Sequence, residues 1–93
     1  MEQPKPQIGK LSARLKQLRQ SRDLTLDGLS QLLVTQFGLE RSRQNLHQHE
    51  TGLRLPSSEA IAGYCRVYDL NTADSRELYT LAGYVVVFAV EEG

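Results

Sequence analysis

Ser42-Arg43-Gln44-Asn45-Leu46-His47-Gln48-His49-Glu50-Thr51-Gly52 is the stretch on which the reading of this chain turns. Ser42 is a good N-cap and Gly52 a good C-terminal stop, so the residues between them form one short helix. At 100° per residue, Leu46 and His49 define its inner side. Gln44, Gln48 and Thr51 fall opposite, with His47 on the flank and Arg43 at the start. Gln44 and Gln48 are one turn apart and project the same way. A glutamine amide sets a donor beside an acceptor, the pattern that matches the adenine edge in the major groove. Arg43 has the geometry for a guanine edge or a phosphate.

Working outward, Leu26, Leu29, Leu33 and Phe37 recur at helical spacing upstream, with Thr25 as N-cap, Asp27 in the first turn and Gly38 as the stop. Before that, Leu11, Leu15 and Leu18 mark an amphipathic basic helix ending between Ser21 and Asp23. Pro4 and Pro6 leave residues 1–7 as a flexible or extended arm. Downstream, Pro56 interrupts the chain and Ser57 and Ser58 cap a fourth helix, with Ile61, Tyr64, Cys65 and Tyr68 on one face. A fifth helix follows Asn71 and Thr72 and runs through Leu78, Leu81 and Ala82 to Gly83. The expected fold is all-α: five short helices over residues 8–84, the second and third set as a helix-turn-helix.

Residues 85–93 form an apolar C-terminal tail. Val85-Val86-Val87-Phe88-Ala89-Val90 is β-branched, without helical period, and strand-prone. An exposed strand needs a partner. Three readings stay open: packing on the last helix, pairing with the same strand of a second chain, or contact with a further domain or protein partner through residues 85–90.

Charge separates along the chain although its net value is zero. Residues 1–22 carry six basic side chains and one acidic, residues 23–54 three and four, and residues 55–93 two and six. A basic amino-terminal end suits a polyanion, and an acidic carboxy-terminal half does not. A single cysteine excludes an intramolecular disulfide framework and fits a reducing, cytoplasmic setting. No apolar run approaches the ~18 residues of a membrane span, so no membrane partner is expected.

Enzyme chemistry finds no foothold. The acidic residues are scattered, no glycine-rich phosphate loop is present, and Cys65 sits on an apolar stripe as an inert thiol. His47 and His49, two residues apart on a helix, diverge by about 200° and cannot share a metal. No cofactor and no metal are expected.

The blocks RLKQLRQSRDLTLDGLSQLL (14–33), SRQNLHQHETG (42–52), LRLPSSEAI (53–61) and ELYTLAGY (77–84) together resemble the helix-turn-helix family of phage repressors and Cro-like regulators, the lambda-repressor-like, xenobiotic-response-element type. The resemblance covers roughly residues 11–84. It implies a sequence-specific transcriptional regulator, a repressor, bound as a homodimer to a palindromic operator in double-stranded DNA, at the nucleoid. By it, Arg43, Gln44, Asn45, His47 and Gln48 fall at base-contacting positions. Thr25, Ser42, Thr51, Arg54 and Arg14 fall at backbone-contacting ones, and Glu50 pairs with an arginine of the first helix.

The chain departs from the family pattern between Ser30 and Ser42, where about six extra residues imply a longer second helix and a wider connection carrying Glu40 and Arg41. His49 stands where an apolar or aromatic core residue is usual. The alternative from another class is a protein adaptor or antitoxin-like module of the same fold. Salt separates the two, because phosphate-based binding falls by roughly 0.9 log units per log salt for each phosphate neutralised.

Overall fold

The computed structural model describes residues 5–85, and these form five α-helices. They are α1 (Ile8–Ser21), α2 (Leu26–Phe37), α3 (Arg43–Thr51), α4 (Ser58–Val67) and α5 (Thr72–Leu81). Four of the helices begin on a side chain that accepts from a backbone amide three residues on: Thr25 from Gly28, Ser42 from Asn45, Ser57 from Ala60 and Asn71 from Asp74. Each such cap satisfies an amide that the helix cannot and is worth ~1 kcal/mol.

Leu11, Leu15, Leu29, Leu46, Ile61 and Leu78 have no exposed surface and form the centre. Around them α1 packs on α3 and α5, α2 packs on α3 and α4, and α4 packs on α5. Arg22 ties the end of α1 to the end of α4, donating to the Tyr68 carbonyl at 2.7 Å while its guanidinium lies 5.1 Å from the Tyr68 ring centroid.

The residues before α1 are anchored where they meet the fold. The Gln7 amide donates to the Leu81 carbonyl at 2.7 Å, and Pro6 lies so close to Gly83 that a Cβ there would come within 2.8 Å of it. Val85 is 60% exposed. The expected strand over residues 85–90 lies, apart from Val85, outside the described residues.

Helix α2 runs for 12 residues to the expected stop at Gly38, and its end differs from the periodicity in one respect. Phe37, expected to continue the apolar stripe, is 36% exposed, and Leu39 is buried in its place. Gly38 adopts φ 65°, the left-handed region, and the Leu39 amide reaches back to the Leu33 carbonyl at 3.0 Å. This closure turns the chain inward one residue after the helix and carries Leu39 under α4. Gly63 of α4 leaves the room: a Cβ there would lie 2.6 Å from a Leu39 methyl and 3.1 Å from a Leu33 methyl. The mid-helix glycine costs about 1 kcal/mol in propensity, offset by the buried leucine that holds the extended connection in place.

Candidate nucleic-acid interface

Helix α3 is held from within by three side chains. Leu46 is fully buried, His49 is 3% exposed and Glu50 8% exposed. Glu50 accepts two hydrogen bonds from Arg19 of α1, at 2.7 and 2.9 Å, in a side-by-side fork. Arg19 donates a third to the Leu24 carbonyl at 2.8 Å, so one guanidinium joins α1, the α1–α2 turn and α3. Such paired charge-assisted bonds fix orientation as well as distance.

His49 stands in the core because it has a polar partner there. Its Nδ1 lies 2.8 Å from the Tyr64 hydroxyl, and the two rings meet edge to face. Tyr64 in turn stacks on Tyr68, with ring centroids 6.0 Å apart. Burial, followed by the nearby Arg41 and Arg54 cations, lowers the His49 pKa to about 4. The imidazole is therefore neutral in the folded protein at pH 7.

That shift has a stability consequence of definite sign. The unfolded histidine titrates near 6.5 and the folded one near 4, so the unfolded chain takes up the proton first. The contribution is full above pH ~6.5 and is lost progressively as pH falls toward 4. We expect ~2 kcal/mol over this window, after discounting the arginine contribution for solvent screening. Urea titrations from pH 7 to 4 on the wild type and on His49→Phe should show a shallower decline in the variant. Parallel slopes would contradict it.

The outer face of α3 is differently furnished. Gln44, His47 and Thr51 are exposed, and Asn45 and Gln48 half-buried. Among the described residues, the side chains of Gln44, His47 and Gln48 make no hydrogen bond within the fold, so their donors and acceptors face outward unspent. Asn45 Nδ2 donates to Ser42 Oγ at 3.2 Å, and Thr51 Oγ1 donates to the His47 carbonyl at 3.0 Å. Arg43, exposed at the helix start, lies 3.7 Å from Asp27 in the first turn of α2.

The expected backbone-facing residues divide into two groups. Thr25 and Ser42 sit at the starts of α2 and α3 with their hydroxyls engaged as caps, where free amides and the helix dipole favour an anion. Arg54 follows the α3 stop, where Gly52 takes φ 78° and the Leu53 and Arg54 amides both return to the Gln48 carbonyl. Its guanidinium makes no hydrogen bond or ion pair among the described residues.

Arg14 is placed elsewhere. It lies on the side of α1 that meets α5, 3.2 Å from Glu77 and 3.9 Å from Asp74. Two carboxylates occupy it, so the structure does not bring it to the α3 surface.

The structure also adds two cations that the sequence reading did not include among the site residues. Lys16 borders a hollow of about 270 Å³ between α1 and α3, together with Arg43 and His47. Its place in the basic first helix was the available signal. Arg41 lies on the connection into α3, and only the wider linker hinted at it.

A helix pinned by its inner face against two others, with an unspent polar face and cations beside it, is the arrangement of a helix-turn-helix protein. Residues 10–78 match the model of the helix-turn-helix domain family, and the chain belongs to that family. No curated protein and no solved structure shows a significant match.

Proposed function

We propose that this protein is a sequence-specific double-stranded DNA-binding transcriptional regulator of the phage-repressor and Cro-like type, acting as a repressor with α3 in the major groove. The observation that carries this reading is the division of α3. Its inner face is locked by Leu46, His49 and Glu50, while Gln44 and Gln48 keep their amide groups free on the outer one. In this reading Gln44, Gln48, Arg43, Asn45 and His47 meet base edges. Thr25, Ser42, Thr51 and Arg54 meet phosphates, and Lys16 joins them. Arg14, held by the α5 carboxylates, takes no part. The operator is palindromic, its half-sites about one helical turn apart, and is bound by a homodimer in the cytoplasm, at the nucleoid.

Selection from a random duplex-DNA pool at near-physiological salt tests this. Enrichment of a two-fold symmetric motif is expected. A retained but unenriched pool would remove base reading, and no retention by folded protein would turn the reading toward a protein adaptor.

Arg54→Ala should weaken binding to all sequences alike. The slope of log affinity against log salt should become shallower by about 0.9, one phosphate contact. Affinities on matched and scrambled duplexes between 50 and 200 mM salt, concentrations at which such slopes are resolved, measure both. A loss confined to one base position would reassign Arg54 to base reading.

A further inference from the structure

An open cleft of about 680 Å³ separates α2 from the starts of α3 and α4. It does not face the way Gln44 and Gln48 do: the α3 residues lining it, Asn45 and His49, lie about 100° round the helix from that pair. Arg41 and Arg54 both line it, as do the capping serines of two helices, Ser42 and Ser57. Buried His49 contributes to the lining as well.

Each of these groups is poised for an oxyanion. The Arg41 backbone is pinned, its carbonyl accepting from Ser30 Oγ at 2.6 Å. Its guanidinium donates through one arm to the Glu40 carbonyl at 2.8 Å, while the other arm is more loosely held, 3.5 Å from Ser57 Oγ and 3.8 Å from the exposed Glu59 carboxylate. Arg54 has no ion-pair partner among the described residues. Both serines mark helix N-termini, where the dipole favours negative charge.

His49, buried as a residue, also borders the cleft. Its Nδ1 is taken by Tyr64, and its Nε2 carries no hydrogen bond among the described residues. The charged and titratable groups around it are Arg41 and Glu40 on the connection, Arg54 on the loop, and Tyr64 on α4. Of these the two arginines dominate the field at the imidazole, since both depress its basicity. Glu40 also lines the cleft, so the lining carries two arginine cations and one carboxylate.

We propose that this cleft binds a phosphoryl group, held between Arg41 and Arg54 with His49 beside it. Two arginine forks suit the tetrahedral, multiply charged phosphate. The orientation away from the base-reading face suits a free phosphorylated small molecule; in that case Arg54 and Ser42 serve the cleft in place of the DNA backbone, and the ligand acts on α3 through Ser42, Asn45 and His49. A DNA backbone phosphate is the other source of the same chemistry, and only in that case does the inference rest on the DNA-binding reading.

The test is NMR titration of the labelled protein with inorganic phosphate at pH 7, against sodium chloride at matched ionic strength. Saturable shifts of the His49 ring and of the Ser42, Asn45 and Ser57 amides are expected with phosphate alone. Arg41→Gln and Arg54→Gln should each weaken binding about tenfold, the loss of one charge-assisted bond. Gln44→Ala should leave it unchanged. Phosphate should also raise the His49 pKa above about 4, because a bound anion favours the imidazolium.

Non-saturable shifts that chloride reproduces, or unchanged affinity in both arginine variants, would overturn the proposal, whether or not the protein binds DNA. Repeating the titration with a duplex from the selection separates the sources. Phosphate binding that persists on the DNA-bound protein identifies a free ligand, and competitive displacement identifies a backbone phosphate. With no DNA binding, saturable and arginine-dependent phosphate binding supports the free ligand, so the two readings fail separately.

Discussion

Glu50→Ala is expected to destabilise the domain by about 3 kcal/mol, at the low end of the cost of breaking a buried ion pair from one side. The carboxylate is 4% exposed and accepts both arms of the Arg19 fork. Its removal leaves a cation whose side chain is only 15% exposed, with the Leu24 carbonyl as its remaining partner. A domain of this length holds roughly 5–14 kcal/mol in all. The midpoint of thermal unfolding should therefore fall by ~12–20 °C. Circular dichroism melts and urea titrations read this directly, and a loss below about 1 kcal/mol would show that the pair is solvated. Glu50→Gln, which keeps an acceptor, should cost less. Replacing both residues, as Arg19→Met with Glu50→Leu, should recover much of the stability, because no charge is then stranded.

The other large effect concerns base reading. Gln44→Ala alone should cost about 1–3 kcal/mol at one base pair of the selected operator. Gln44→Ala combined with Gln48→Ala should cost about 2–6 kcal/mol, since discrimination at separate positions is roughly additive. That corresponds to losses from about 30-fold to roughly 20,000-fold on the operator, with little change on scrambled DNA. Neither side chain contributes a hydrogen bond to the fold among the described residues, and alanine is the better helix former, so the melting midpoint should hold. Fluorescence anisotropy on both duplexes measures the contrast. Equal loss on the two would mean that these amides touch the backbone, not base edges.

These variants probe α3 from opposite sides, and the fold explains why their effects should separate. Glu50 acts on where the helix sits, through α1. Gln44 and Gln48 act on what the helix presents. Arg19 and Glu50, 31 positions apart in the chain, are joined by one guanidinium, which sets the helix against α1 to within a hydrogen bond. A loosened α3 would weaken specific and non-specific contacts together, a pattern distinct from the loss of an amide.

The helices and their limits were legible because the signals for them are local. Thr25, Ser42, Ser57 and Asn71 cap helices three residues away, and Gly38 and Gly52 end them through a left-handed φ that L side chains rarely adopt. The i, i+4, i+7 spacing of Leu11, Leu15 and Leu18 named the buried side of α1 for the same reason. The inner and outer faces of α3 also followed from angle alone, with Leu46 and His49 turned in and Gln44 turned out.

What periodicity could not decide is which side chains meet across the fold. Phe37 obeys the helical spacing yet lies at the edge, since the chain turns at Gly38 and Leu39 enters instead, into space that Gly63 leaves open. Arg14 looks like any cation of a basic helix until α5 brings Glu77 and Asp74 against it. His49 is an unexpected core residue until Tyr64, 15 residues on, supplies its partner. By itself, then, the sequence determined five helices, their caps and the polar face of α3, because each is settled by torsion angles and neighbours within a turn or two. The tertiary structure alone decided that Arg19 is the arginine paired with Glu50, that Arg14 meets the α5 carboxylates, that Tyr64 partners His49, and the cleft at Arg41, because these depend on distances between helices that no local torsion encodes.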